Sequence, residues 1–339
     1  MVQLFQNITA CLRSGIRSRV MRSRNFLRTC FIVLLMTIGV AASSAARPQT
    51  APNTIDESVS SGANYDKAEF RLWIPGEVDV IQAAVILVPG SNGDGRSMAE
   101  EAGWQDFARK HRVALVGCRF TDKPHDQSFL EEYADVSRGS GQALLTALGA
   151  LAGKSKHPEL AQAPLLLWGM SAGGEFNYEF VAWKPERVAA FVVNKGGVYY
   201  TALTSRAARN VPGILFIGGK DLESRIHTIV GLFEVNRRAG ALWALAEEPG
   251  VAHVVGRSID VAKVLFEDVL ALRVAGPNAG PNPLMKPIDE KAGFIGDLKM
   301  KTFQPVAGAA PPTVATSWFP SARVASAWQA MVTEKPFEP

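Results

Sequence analysis

Cysteine is scarce in this chain. Of its 339 residues only Cys11, Cys30 and Cys118 are cysteines, and Cys118 alone lies beyond residue 46. No disulfide can therefore staple residues 47–339 to themselves. Stability has to come from burial, and with 47% hydrophobic and 20% charged residues the composition supplies an ordinary globular core. Acidic residues are absent from the first 46 positions, which carry six arginines (13, 17, 19, 22, 24 and 28). Taking those six from the formal charge of +4 leaves −2 for the remainder, so the basic pI belongs to the N-terminal segment. No basic surface of the kind that holds nucleic acid remains. The apolar run Cys30 to Ala42 is too short for the roughly 20 residues of a membrane-spanning helix. Internal repeats are also missing.

A positive stretch, a short apolar run and the small residues ASSAA make residues 1–46 a secretory signal peptide, with cleavage after Ala46. Met21 opens a complete leader of its own. No cysteine follows a small residue at the end of the apolar run, which argues against a lipoprotein anchor. The mature chain is thus expected to be secreted or periplasmic, with no stable membrane insertion after cleavage. Residues 47–66, polar and rich in Ser, Thr, Pro and Ala, read as a linker. Residues 67–275 read as the folded domain, and 276–339 as a C-terminal extension that packs on it.

Within 67–275, apolar runs alternate with amphipathic segments. Phe70 to Ile74 alternates like an antiparallel edge strand, and Ala83 to Val88 is continuous, like a strand buried on both faces. Further strands are expected at 113–120, 165–170, 189–193, 214–217 and 241–246. Helices are expected at 98–110, 141–152, 172–183, 223–236 and 259–272. This order specifies a doubly wound, mostly parallel α/β sheet, whose ligands bind beyond the carboxyl ends of the strands. Residues 274–339 lack a strand signal, but Ser321 caps a short helix that places Val324, Trp328 and Met331 on one face. Trp318 and Trp328 are expected to be buried there.

The stretch Leu165 to Gly174, LLLWGMSAGG, organises the rest. Its Gly169-Met170-Ser171-Ala172-Gly173 is a G-x-S-x-G pentapeptide between an apolar strand and a helix. Glycines flank the serine because a sharp strand-to-helix turn leaves no room for side chains there. A serine hydroxyl is a weak nucleophile near pH 7 and needs a histidine, itself held by a carboxylate. His111 and His157 precede strands and so lie at the wrong end of the sheet; His227 falls within a helix; His125 follows a strand but precedes the serine. His253 follows a strand and the serine both. Asp221 lies just beyond a strand, whereas Glu223 belongs to the first turn of the next helix, where acids are favoured anyway.

Ser171, Asp221 and His253 therefore occur in the order Ser, Asp, His, and with the turn this resembles the α/β-hydrolase superfamily over residues 68–273. The resemblance implies an exported serine hydrolase of carboxylic esters working through an acyl-enzyme, with no cofactor or metal and a small-molecule or polymeric ester as substrate. It implies oxyanion donors at Ala172 and in the loop after the first parallel strand, at Ser91 or its neighbour Asn92. In that loop Pro89-Gly90 stands where many members have His-Gly. The leader and the short span between Val193 and Ile214, too short for a helical lid, resemble esterases of the polyhydroxybutyrate-depolymerase and feruloyl-esterase type. A serine peptidase of the same fold and a binding protein without catalysis are the alternatives. Tyr199, Tyr200 and Trp168 stand near strand ends, where they are candidates for substrate contact or core.

Overall fold

A computed structural model describes residues 54–76, 78–127, 129–274, 285–309 and 313–337. Residues 1–46, where a signal peptide is expected, lie outside the described residues. Eight strands form one sheet: β1 (Thr54–Val59), β2 (Lys67–Trp73), β3 (Ala84–Val88), β4 (Ala114–Thr121), β5 (Leu165–Met170), β6 (Val188–Asn194), β7 (Gly213–Gly218) and β8 (Trp243–Glu248). Their spatial order is β1-β2-β4-β3-β5-β6-β7-β8. Strands β3 to β8 are parallel, β2 runs antiparallel to them, and β1, antiparallel to β2, runs in their direction again. The chain leaves β3 toward β4 on one side and returns to β5 on the other, so the order reverses at β3. The loops after β3 and β5 thus face one another across the crevice where such sheets bind ligands.

Continuous apolar strands are needed because both faces are covered. Ile86 and Val88 of β3 point into a core shared with α2 (Ser140–Ser155), α3 (Ala172–Trp183) and α5 (Glu223–Arg238); α4 (Arg206–Arg209) lies before β7. Val85 and Leu87 point the other way, to α1 (Ala102–His111), α6 (Ser258–Arg273) and α7 (Ala322–Val332). Cys118, the one cysteine among the described residues, is buried in β4 with a free thiol, and burial pushes its pKa well up.

Three sequence expectations are corrected. Residues 54–59 are not linker: they form β1, which pairs with β2 over six residues, and residues 47–53 of that segment lie outside the described residues. β2 is consequently interior, and β1 is the edge. The expected helix at 98–110 divides at Glu101, whose extended backbone (ψ 127°) separates a short 3-10 turn at Arg96–Glu100 from α1. Finally, the tail does contain strands: β9 (Phe294–Asp297), β10 (Thr302–Pro305) and β11 (Thr316–Phe319) make a small antiparallel sheet.

That tail finishes the main sheet. β8 is its last strand and presents backbone groups that would otherwise be unpaired. The Leu245 N–H donates to Ser317 Oγ at 2.9 Å, and the Leu245 carbonyl accepts from the Trp328 indole at 2.8 Å. Trp328 is fully buried between α6, β8 and Phe319, and Trp318 is 3% exposed. Ser321 caps α7 by accepting from the Val324 N–H. Trp328→Ala is expected to destabilise the fold by about 3–5 kcal/mol, because it opens a cavity and leaves the Leu245 carbonyl with only the 3.3 Å bond from Ser317 Oγ. Trp328→Phe keeps most of the volume and should cost clearly less. Urea unfolding of the three proteins measures this, and equal midpoints would show the tail to be a dispensable appendage.

Candidate active site

β5 ends at Met170 and the chain turns into α3 with Ser171 at the apex. Ser171 has φ 53° and ψ −123°, a conformation that a non-glycine residue adopts only where its surroundings enforce it. They do so here: the Ser171 N–H donates to the Asn194 carbonyl at 2.8 Å, and its own carbonyl accepts from Gly174 and Glu175. The flanking glycines are steric necessities. A Cβ on Gly169 would collide with the Gly173 carbonyl, and one on Gly173 with the carbonyls of Val88 and Pro89. The turn therefore brings the serine beside Gly90 of the β3 loop.

Asp221 follows β7 in a turn closed by its N–H on the Gly218 carbonyl, and His253 lies in the loop between β8 and α6. The structure brings the three sequence candidates together. His253 Nε2 is 3.0 Å from Ser171 Oγ, and its Nδ1 is 2.8 Å from Asp221 Oδ2. The Asp221 side chain is 3% exposed and that of His253 29%. Burial alone would raise the Asp221 carboxyl. The hydrogen bonds from His253, the Leu222 N–H and Arg225 outweigh it and hold the pKa below the ordinary carboxylate value. An ionised acid, an imidazole and a hydroxyl in one hydrogen-bonded line can pass a proton from serine to imidazole.

Two backbone N–H groups, one next to Ser171 in sequence and one in the β3 loop that lines the cavity, are uncommitted. The N–H groups of Ala172 and Ser91 have no protein acceptor among the described residues, whereas the Asn92 N–H is committed to the Tyr133 hydroxyl at 3.2 Å. Between the two residues that the sequence left open in this loop, Ser91 is the free donor. His125 lies beside Asp122, His157 beside Glu159 and His111 against Phe107; none of them, nor His227, lines the cavity at Ser171. Glu223 stays in the first turn of α5. Trp168 is core, and neither Tyr199 nor Tyr200 lines the cavity.

Sequence reasoning missed what supports the site. Lys195 is fully buried, and its Nζ lies 3.0 Å from both Glu248 Oε2 and Asn194 Oδ1. Glu248 Oε1 accepts from the Arg257 N–H at 2.7 Å, and Asn194 Nδ2 donates to the Val255 carbonyl at 2.9 Å. The network thus joins the serine turn to both ends of the histidine loop, and the Lys220 N–H ties that loop's Val251 to the Asp221 turn. The one available signal was position: Asn194-Lys195 and Glu248 directly follow apolar strands at their carboxyl ends.

The cavity at Ser171 and His253 has a volume of about 880 Å³. Met170 and Leu222 give it apolar wall, and Glu131, Glu175 and Arg225 are its charged lining. Both glutamates are buried, and Glu175, 4% exposed, lies one turn along the helix that Ser171 begins. Burial raises its pKa to about 7 against the pull of the Gly197 and Val198 N–H groups.

A strand order reversing at β3, with a serine at the strand-to-helix turn after β5 and Asp and His after β7 and β8, is the α/β-hydrolase fold, and this chain has it. Solved structures similar to it include an esterase from Pyrococcus furiosus, at 14% identity over 64% of this chain and 91% of that one with a TM-score of 0.45. A poly(3-hydroxybutyrate) depolymerase from Bordetella parapertussis is similar at 17% identity, over 64% and 89% of the two chains, with a TM-score of 0.44. A dienelactone hydrolase from Anabaena variabilis is similar at 18% identity over 66% and 100%, with a TM-score of 0.41. No protein-family model and no curated protein matches the sequence.

Proposed function

We propose that the protein is a serine hydrolase of carboxylic esters. The observation that carries this reading is the continuous line Asp221–His253–Ser171, with bonds of 2.8 and 3.0 Å, opening on a cavity at the carboxyl ends of the strands. Ser171 Oγ attacks the ester carbonyl carbon while its proton passes to His253 Nε2. The oxyanion so formed is held by the Ala172 and Ser91 N–H groups, each worth about 3 kcal/mol of transition-state stabilisation in comparable sites. Collapse breaks the C–O bond, and the alcohol leaves with the proton from His253. Water, deprotonated by the same imidazole, then attacks the acyl-enzyme and releases the acid and free Ser171. Short-chain aryl esters test the reading: a burst of aryl alcohol followed by slower steady turnover is expected. Absence of turnover across the panel would overturn it.

The protein works outside the cytoplasm on this proposal, in the periplasm or the medium. Its support is the arginine-rich, acid-free leader with its small-residue cleavage site. Edman sequencing of protein from the envelope or medium should begin near Arg47; soluble cytoplasmic protein that begins at Met1 or Met21 would contradict export.

A further inference from the structure

The two carboxylates of the cavity form no ion pair among the described residues. Glu131, 9% exposed, has no side-chain hydrogen bond or ion pair among the described residues. Glu175 uses Oε1 to accept from the N–H groups of Gly197 (2.6 Å) and Val198 (3.0 Å), while Oε2 is buried without a partner. The cation that lines the same cavity, Arg225, is bound to Asp221 at 3.2 Å. A carboxylate placed in a sheltered cavity without an ion-pair partner is costly, and two that repel one another are costlier. The Gly197 and Val198 bonds also fix the Glu175 carboxyl, so it cannot turn out to solvent.

We propose that Glu131 and Glu175 form a subsite for a positively charged group of the substrate, an ammonium carried on either the acyl or the alcohol part. The inference rests on the reading of Ser171 as nucleophile and names the chemistry that the same cavity selects. An ammonium supplies a direct counter-charge, and one that carries N–H groups adds charge-assisted hydrogen bonds to a preorganised carboxylate that are stronger than those of a neutral donor. A substrate carboxylate in the same place meets repulsion, and an alkyl group leaves both acids without partners. The site so described selects cationic esters over neutral ones of the same shape.

Selectivity should also depend on pH. The groups facing Glu175 are Glu131, Arg225 and the phenols of Tyr133, Tyr199 and Tyr200. With its pKa raised to about 7, Glu175 gains its charge as the pH rises through neutrality. The preference for a permanently charged substrate therefore rises over that interval.

The experiment compares kcat/KM within matched pairs for the wild type, Glu131→Gln and Glu175→Gln. An aryl 6-aminohexanoate against the aryl heptanoate places the charge on the acyl side. Butyrylcholine against 3,3-dimethylbutyl butyrate places it on the alcohol side. The cationic member of one pair should be favoured about tenfold or more by the wild type, and each substitution should bring that ratio toward one. Ratios near one in both pairs, or ratios untouched by both substitutions, would overturn the subsite. Calorimetric titration with hexylammonium and with 1-hexanol reads the subsite without turnover. Hexylammonium should bind more tightly, and less so to Glu175→Gln; equal binding of the two counts against the proposal. If no ester is turned over yet hexylammonium keeps its advantage, the subsite stands and the hydrolase reading falls.

Discussion

Ser171→Ala is expected to lower kcat for an aryl ester by a factor on the order of 10⁶, His253→Ala by about as much, and the double variant by no more than either. The reason is geometric. With His253 Nε2 at 3.0 Å from Ser171 Oγ, the hydroxyl is a nucleophile only while the imidazole can take its proton. Removing either partner removes the same step, so the second loss finds nothing left to remove. What remains in all three variants is binding plus the Ala172 and Ser91 donors, which the substitutions do not touch. Additive losses would show that serine and histidine act separately, and full activity in Ser171→Ala would end the mechanism.

Asp221→Asn is expected to cost on the order of 10⁴ in kcat while the fold survives, the size of loss that tautomer reversal causes in a comparable triad. Asp221 Oδ2 accepts from His253 Nδ1, and Oδ1 accepts from the Leu222 N–H and Arg225. With three donors around it, an amide fits only by turning an N–H toward the imidazole or toward another donor. Facing the imidazole, it makes Nδ1 the acceptor and leaves the proton on Nε2, where it meets the Ser171 hydroxyl and cannot receive its proton. Circular dichroism should be unchanged, because the carboxyl and the amide have the same shape. Wild-type turnover in Asp221→Asn would remove Asp221 from the mechanism and leave Ser171 and His253 in it.

The candidate site was legible in the sequence because its chemistry has positional rules. Ser171, Asp221 and His253 each follow an apolar strand, and a parallel sheet gathers its carboxyl ends at one edge. Strong periodicity gave β5 and α3 their observed bounds, Leu165–Met170 and Ala172–Trp183, since Gly169 and Gly173 mark the turn between them.

What was not legible lacks a local signal. β1, TIDESV, is a half-exposed edge strand with few apolar residues, and it is a strand only because β2 offers it a ladder. β9, β10 and β11 are four residues each, below the length at which alternation can be seen. Lys195 and Glu248 look like ordinary charged residues in a loop and at a strand end. Their pairing is across 53 positions, and only the fold reveals that both are buried. Glu175 was hidden in the same way, as an acid in the first turn of a helix, where acids are common.

The central claim is that Ser171 is an activated nucleophile, and covalent capture tests it most directly. A fluorophosphonate reacts with a serine that a neighbouring base has made nucleophilic and spares ordinary hydroxyls. Intact-mass measurement after treatment should show a single adduct, mapped by peptide sequencing to Ser171. Labelling should be absent in Ser171→Ala and slowed by orders of magnitude in His253→Ala. A folded wild-type protein that takes up no probe, or takes it up on a different serine, would contradict the claim.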